Sequence, residues 1–401
     1  MEIEINIPGS KSIAARSLVC RLLSGHDTVI ANLPDCGDTR GMLRLTEAIR
    51  SANNDAVRDV TVDIGEGGTT LRFGMAACAS MLGLRITLVG SPRLMERPHA
   101  TLISALQNLG ADIELLPEEN ALRIEGRQLT GGVVELPGNV SSQYLSALML
   151  ASPTWKDDTL FKVSGPVVSA PYIYMTAGVM RSFGAQVECT STPEGMEVKV
   201  RNIGYAQCAR YEVEGDWSGA SYFFEARLVL AAAGMPVPEL VMPTLKSPAE
   251  SLQGDSRVAS IFAEAMQKVK VADYSPLSLT LTDAPDLVPA VAVGLCIAGV
   301  RFRIDGVEHL HHKECDRMVA IASELRKLGY QLSISGDVME WNGERIEPEE
   351  KPRIATYQDH RMAMAFAPAS FVVGDMTIEN PEVTAKSFPG FWQEIKKMYI
   401  G

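Results

Sequence analysis

The chain is short of positive charge, of paired cysteines and of long apolar runs, and each shortage removes a class of function. Lys and Arg number 37 against 49 Asp and Glu in 401 residues, a formal net charge of −12. Phosphate surfaces repel such a chain on average, which excludes general binding to nucleic acid or to anionic membranes. The exclusion holds for the average alone, because clustered cations make an anion site inside an acidic protein. Cys20, Cys36, Cys78, Cys189, Cys208, Cys296 and Cys315 are odd in number and far apart, and no CxxC spacing occurs. Several lie in apolar runs, and most read as reduced packing residues. The longest smooth apolar stretch, Pro289 to Val300, falls far short of the roughly 20 residues of a membrane span. Met1-Glu2-Ile3-Glu4-Ile5-Asn6 alternates like a strand and lacks the basic and apolar regions of a signal peptide. A cytoplasmic enzyme or binding protein is expected.

What the chain does hold is the composition of a globular protein, 46% hydrophobic and 21% charged, in a length that suits two domains of roughly 200 residues each. It also repeats. Six times a polar turn opens into an apolar helix rich in small residues, at Lys11, Thr69, Ser142, Ser218, Asp286 and Asp359, with intervals of roughly 60–75 residues. Apolar positions nearly all round each helix indicate burial within a layer. A second, amphipathic helix follows each one, beginning near Asp38, Arg97, Pro171, Asp255, Lys313 and Pro389. Three of these end alike, in LQNLGADIEL, MRSFGAQVEC and LRKLGYQLSI. Gly110, Gly184 and Gly329 supply a left-handed residue after the helix, and alternating residues then predict strands. The unit is two helices plus several strands, three units per domain.

Five of the six buried helices carry charged or hydrogen-bonding groups in the first turn. Helix N-termini present free N–H groups and partial positive charge, so several converging on one cleft make an anion trap. Capping alone accounts for Ser, Thr and Asp there, but not for recurring Lys and Arg, which oppose the dipole and call for an anionic partner.

The local motifs are individually weak. Pro8-Gly9-Ser10-Lys11-Ser12 lacks the G-x-x-x-x-G-K-[ST] spacing of a nucleotide loop. Gly65-Glu66-Gly67-Gly68-Thr69-Thr70-Leu71-Arg72 is a glycine-rich turn whose amides approach an anion closely, or simply a tight turn. Ser141-Ser142-Gln143 offers neutral donors to a phosphate, or an N-cap. Lys313 and Arg317 stand at i and i+4 beside Glu314, on one face of an expected helix. Asp359-His360-Arg361 is pinned at the mouth of a wholly apolar helix and reads as functional. His309-Leu310-His311-His312 invites a metal, but on a strand His309 and His311 share a face that His312 leaves, and no HExxH or Cys-pair spacing supports zinc.

In order along the chain stand K-S-x-x-x-R, G-T-T-x-R, E-R-P, S-S-Q-x-x-S-A-L, G-D-x-S-x-A-S-Y-F, D-x-x-P, K-E-x-D-R, D-H-R-M-A-M and T-A-K-S-F-P. From residue 9 to residue 390 this series resembles the EPSP synthase family, the 3-phosphoshikimate 1-carboxyvinyltransferases. The resemblance implies a two-domain inside-out α/β barrel, each domain three βαβαββ repeats with buried parallel helices. One domain is then 10–213 and the other 1–9 plus 214–401, with hinge crossovers near 9–11 and 212–216. It implies transfer of the enolpyruvyl group of phosphoenolpyruvate to the 5-hydroxyl of shikimate 3-phosphate, without metal or organic cofactor, in a monomer with small-molecule partners only.

By match to the family, Ser141, Ser142 and Ser169 hold the shikimate phosphate with Lys313 nearby. Arg16 takes its carboxylate, and Ser12, Gln143, Tyr172, Asp286 and His309 line that pocket. Lys11, Gly68, Arg97, Gln143 and Lys386 cradle the phosphate of phosphoenolpyruvate, while Arg317 and Arg361 clamp its carboxylate. Asp286 and Glu314 form the proton-transfer pair, assisted by Lys11. Glu66 replaces a usual Asn, His309 stands where Asn is common, Gly219 replaces a usual Ser, and Met235 to Lys270 matches poorly apart from Gln253-Gly254-Asp255. Two rivals are weighed. A UDP-N-acetylglucosamine enolpyruvyl transferase brings a loop cysteine, which is missing after Arg97-Pro98-His99. A catalytically silent anion binder on the same scaffold has no use for buried carboxylates facing anions.

Overall fold

The computed structural model describes residues 1–54, 58–138, 141–167, 169–313 and 315–399, with backbone alone at 53, 54, 309 and 312. Its longer helices fall into six pairs among the described residues. They are α1 (Lys11–Ser24) with α2 (Gly37–Asn54), α3 (Gly68–Ala79) with α4 (Ala100–Asn108), and α5 (Ser142–Ala151) with α6 (Ala170–Ser182). The second half of the chain adds α7 (Trp217–Ala232) with α8 (Val258–Val271), α9 (Val288–Ile297) with α10 (Arg317–Lys327), and α11 (His360–Phe366) with α12 (Phe391–Lys396).

The first member of each pair is the apolar one. Every residue of α9 from Val288 to Cys296 is buried, and each fully buried Val or Leu stabilises the fold by about 1.5–3 kcal/mol. The second member buries one stripe. In α10 that stripe is Met318, Ala320, Ile321, Glu324 and Leu325, with Arg317 at its head. Gly110, Gly184 and Gly329 end their helices at φ of 97°, 82° and 86°, the left-handed region expected of them. At Gly184 a Cβ would also lie 2.4 Å from that of Ala206, so no side chain fits.

The chain divides into two compact units, one of Gly9–Val213 and one of Met1–Pro8 with Glu214–Gly401. In the 9–213 unit, Asp59–Gly65 and Arg85–Gly90 pair in parallel, and a hairpin of Asp112–Leu116 and Ala121–Glu125 completes a four-stranded sheet. A second such sheet comprises Gly132–Pro137, Thr159–Ser164, Gly195–Val200 and Val187–Thr192. Val29–Ala31 and Arg210–Glu212 form a parallel pair. Among the described residues of the unit of 1–8 and 214–401, called below the 214–401 unit, one four-stranded sheet occurs, Leu277–Thr280, Phe302–Asp305, Val338–Trp341 and Ser333–Ser335. Two parallel pairs accompany it, Glu2–Glu4 with Glu239–Val241 and Arg353–Ile354 with Thr377–Ile378.

The two-domain α/β class is as expected, but the repeat is less regular than six βαβαββ units. Among the described residues a hairpin follows α4, α6 and α10, whereas α2 and α8 are each followed by a single strand, Asp59–Gly65 and Leu277–Thr280, that leads to the next buried helix. Met235 to Lys270, poorly matched in sequence, holds one short strand, the 3-10 turn Gly254–Arg257 and all but the last residue of α8. Cys20, Cys36, Cys78 and Cys296 are buried free thiols, and burial pushes Cys20 up to about 12, as suits packing residues. No helix of the described residues is long and apolar enough to cross a membrane.

One fully buried acid interrupts the apolar face of α7. Glu225 is wholly buried, and neither carboxylate oxygen has a hydrogen-bond partner. A Cβ added to Gly294 of α9 would lie 2.7 Å from its Cγ, so the glycine makes room for the acid. Burial raises the Glu225 carboxyl well above its ordinary value, which keeps it neutral in the folded chain. The folded state therefore binds a proton that the unfolded state releases above about pH 4.5, and stability falls as pH rises, by up to about 1.4 kcal/mol per pH unit. Glu225→Leu is expected to raise the unfolding free energy by about 1–3 kcal/mol and to remove this slope. Urea unfolding of both proteins across a pH series checks it, and equal slopes defeat it.

Candidate active site

The two units each gather polar groups at the mouths of their buried helices. In the 9–213 unit, Lys11 is the first residue of α1 and its Nζ lies 3.1 Å from Asp38 Oδ2 on α2. One turn later Arg16, 2% exposed, sends its guanidinium among three helices. Its Nε donates to Thr176 Oγ1 at 2.7 Å, Nη1 to the Ser12 carbonyl at 2.7 Å, and Nη2 to Ser146 Oγ at 3.3 Å and the Tyr172 carbonyl at 3.4 Å. The rings of Phe73 and Tyr172 flank it at 5.2 and 5.9 Å. All these acceptors are neutral, and burial lowers Arg16 to about 10. A buried cation with only neutral partners keeps its charge uncompensated, a state that favours pairing with an anion.

The glycine-rich turn ends at Gly68, the first residue of α3. A Cβ there would lie 3.0 Å from Arg97 Nη1 and 3.2 Å from Arg72 Nη1. The missing side chain leaves two guanidiniums facing the helix mouth. Burial, then the charge of Arg97, lowers Arg72. Arg72 Nη1 donates to Gln143 Oε1 at 2.5 Å, and Gln143 Nε2 donates to Thr69 Oγ1 at 3.3 Å, which ties the mouths of α3 and α5 together. Ser141 caps α5 through Gln143 N, and Ser142 opens the helix. Ser169 precedes α6 at φ 59°, with no hydrogen bond from its hydroxyl to that helix. A non-glycine residue there is sterically costly, a feature that recurs where a side chain is aimed at a ligand. Glu66, the unexpected carboxylate, is exposed.

In the 214–401 unit the centre is Asp286, in the short turn Pro285–Leu287 before α9. Arg317 Nη1 reaches its Oδ1 at 3.1 Å and Arg361 Nη2 its Oδ2 at 2.7 Å. Arg317 is 1% exposed, and its Nε donates to Asp359 Oδ2 at 2.7 Å. Asp359 is fully buried and caps α11 by accepting from Arg361 N at 2.9 Å. Asp255, which starts the turn into α8, accepts a short hydrogen bond from Ser218 Oγ at the mouth of α7. Burial, then the nearby Asp286 charge, raises Asp255 to about 7. Lys386 ends the turn Pro381–Lys386, and Lys313 follows the turn Glu308–His312.

Several expectations are corrected. Lys313 and Arg317 do not share a helix face, because Asp316 caps α10 through Val319 N and the helix starts at Arg317. His309 and His311 lie in a 3-10 turn and not on a strand. His311 Nδ1 lies 2.7 Å from Asp316 Oδ2. Among the described residues no group of three or more His, Cys, Asp or Glu is arranged to hold a metal. Glu314 lies outside the described residues, as does the side chain of His309. Sequence reasoning passed over Arg72, Asp255 and Ser218 as site residues. Arg72 and Ser218 stand in quoted motifs and Asp255 in the matched Gln253-Gly254-Asp255, and the signal available was the place of each beside a helix mouth.

The sequence matches the family model described as EPSP synthase (3-phosphoshikimate 1-carboxyvinyltransferase) over residues 1–395. A 3-phosphoshikimate 1-carboxyvinyltransferase of Bacteroides fragilis strain YCH46 is 38% identical, across 99% of this chain and 95% of the relative. One of Escherichia coli O17:K52:H18 is 34% identical, across 98% and 96%. Among solved structures, EPSP synthase from Acinetobacter baumannii superposes with a TM-score of 0.74 at 18% identity, covering 99% of this chain and 96% of that one. The enolpyruvyl transferase NikO from Streptomyces tendae gives 0.67 at 14%, covering 99% and 94%. At those identities the structures speak for the fold, while the sequence relatives and the full-length family match place this chain in the EPSP synthase family.

Proposed function

We propose that this chain joins phosphoenolpyruvate to shikimate 3-phosphate, using the residues at its helix mouths. The observation that carries the assignment of roles is Asp286 held between Arg317 and Arg361 at 3.1 and 2.7 Å. Two planar forks around one carboxylate suit a second carboxylate equally well. The carboxylate of phosphoenolpyruvate competes for both guanidiniums and releases Asp286 to act as a base.

The 5-hydroxyl oxygen then bonds to C2 of phosphoenolpyruvate as its proton passes to the base, and the methylene carbon takes a proton. In the second half the methyl carbon loses a proton, the C2–O bond to phosphate breaks, and phosphate departs with the proton balance closed. Asp286 and Glu314 carry these transfers with Lys11. Arg16, Ser12, Ser141, Ser142, Gln143, Ser169, Tyr172, His309 and Lys313 hold shikimate 3-phosphate. Lys11, Gly68, Arg97, Gln143 and Lys386 hold the other phosphate, to which the pairing at Gly68 adds Arg72. The molecule acts on small substrates as a monomer of the cytoplasm.

Phosphate release, measured with each substrate omitted in turn, is expected only when both are present. Release from phosphoenolpyruvate alone, or none with both, refutes the reading. Asp286→Asn is expected to cut turnover by about 10²–10⁴ with substrate binding still measurable, whereas near-normal turnover removes Asp286 from the chemistry. Arg361→Lys should weaken phosphoenolpyruvate far more than shikimate 3-phosphate in calorimetry, and equal weakening contradicts the clamp. Because Asp255 loses its proton as pH rises through about 7, negative charge appears beside Asp286 and anionic substrate binds less well. KM for phosphoenolpyruvate should therefore climb between about pH 6 and pH 8 and flatten in Asp255→Asn. An unchanged profile in the variant would count against Asp255.

A further inference from the structure

A second concave feature lies in the surface of the 214–401 unit. Between α7 and α8 lies a cavity of about 690 Å³, within the range of small-molecule sites. On α7 it is lined by Phe224, Arg227 and Ala231, at i, i+3 and i+7. On α8 it is lined by Ala259, Phe262, Ala263 and Met266, again one helical stripe. Such facing apolar stripes are ordinarily closed by packing, and the alanines leave the space open. Trp217 holds the Phe224 ring in place by stacking at 5.7 Å.

Two cations complete the wall, Arg227 and Lys270. Neither forms a hydrogen bond or ion pair with the described residues, and the Arg227 Nε is buried without a partner. In a chain of net charge −12, an unpaired half-buried guanidinium on an apolar cavity is unusual and costly. None of the groups placed in the catalytic machinery lines the cavity.

We infer that this cavity is a second binding site, for a small organic molecule with an apolar body and one carboxylate. The apolar body fills the space between Phe224 and Phe262, and the carboxylate takes the Arg227 fork with Lys270 beside it. Methionine at 235 and 266 gives the walls latitude in shape. The assignment does not depend on the proposed reaction, since a failure of one leaves the other intact.

Calorimetric titration of the full chain with octanoate tests it. One saturable site per chain is expected, with 1-octanol binding roughly tenfold or more weakly because it brings no charge to Arg227. Arg227→Gln should weaken octanoate by a similar factor, and Ala263→Trp, which fills the cavity, should abolish binding while phosphate release is retained. Should Ala263→Trp fail to fold by circular dichroism, Arg227→Gln decides alone. Absence of saturable octanoate binding overturns the inference, as does octanol binding equally well or Arg227→Gln binding unchanged. A concentration-dependent dimer in sedimentation that Ala263→Trp disrupts would instead assign this face to a second copy.

Discussion

Much of the 214–401 unit's polar architecture depends on the arginine pair that grips Asp286. Arg317 is among the largest fully buried side chains of the protein, and breaking such a pair by removing one partner costs about 3–5 kcal/mol. Asp359 answers that cost twice, by pairing with Arg317 and by capping the helix that carries Arg361. Three short segments far apart in sequence are thereby locked to one another: the turn before α9, the start of α10 and the mouth of α11. The same charges that hold the fold are those suited to an incoming anion.

The 9–213 unit solves the problem differently. Arg16 has no carboxylate among its partners, only hydroxyls and carbonyls, and Arg72 stands against the like charge of Arg97. A neutral cradle leaves the positive charge uncompensated and available. In the 214–401 unit the buried guanidiniums meet carboxylates, whereas in the 9–213 unit carboxylate pairing at the helix mouths falls to Lys11 with Asp38 and leaves Arg16 with neutral partners. Small residues make both possible, since Gly68 admits two guanidiniums and the alanine-rich helices let their first turns approach.

Much of this was legible in the chain itself. The openings at Lys11, Ser142 and Asp359 were read as helix mouths, and each begins or caps a helix within a residue. Gly110, Gly184 and Gly329 were read as left-handed stops and have that conformation. These features are local, set by periodicity, capping and steric limits on φ. Misread features depended on competition between local signals. Asp316 won the cap of α10 over the i, i+4 spacing of Lys313 and Arg317, and the histidine run took a tight turn where alternation suggested a strand. The cations at helix mouths were read as wanting an outside anion, yet Asp38, Asp286 and Asp359 supply inside partners to several of them.

The sequence by itself determined the helices, their stops, the two-domain α/β class and the family, because short-range patterns and ordered motifs survive without knowledge of neighbours. Only the tertiary structure decided which acid meets which base. Nothing in the spacing of Asp286, Arg317 and Arg361 states that two guanidiniums share one carboxylate, or that burial, with the Asp286 charge beside it, raises Asp255 to about 7. Charge interactions fall with distance through space and are blind to distance along the chain. The cavity between α7 and α8 likewise emerged only from packing.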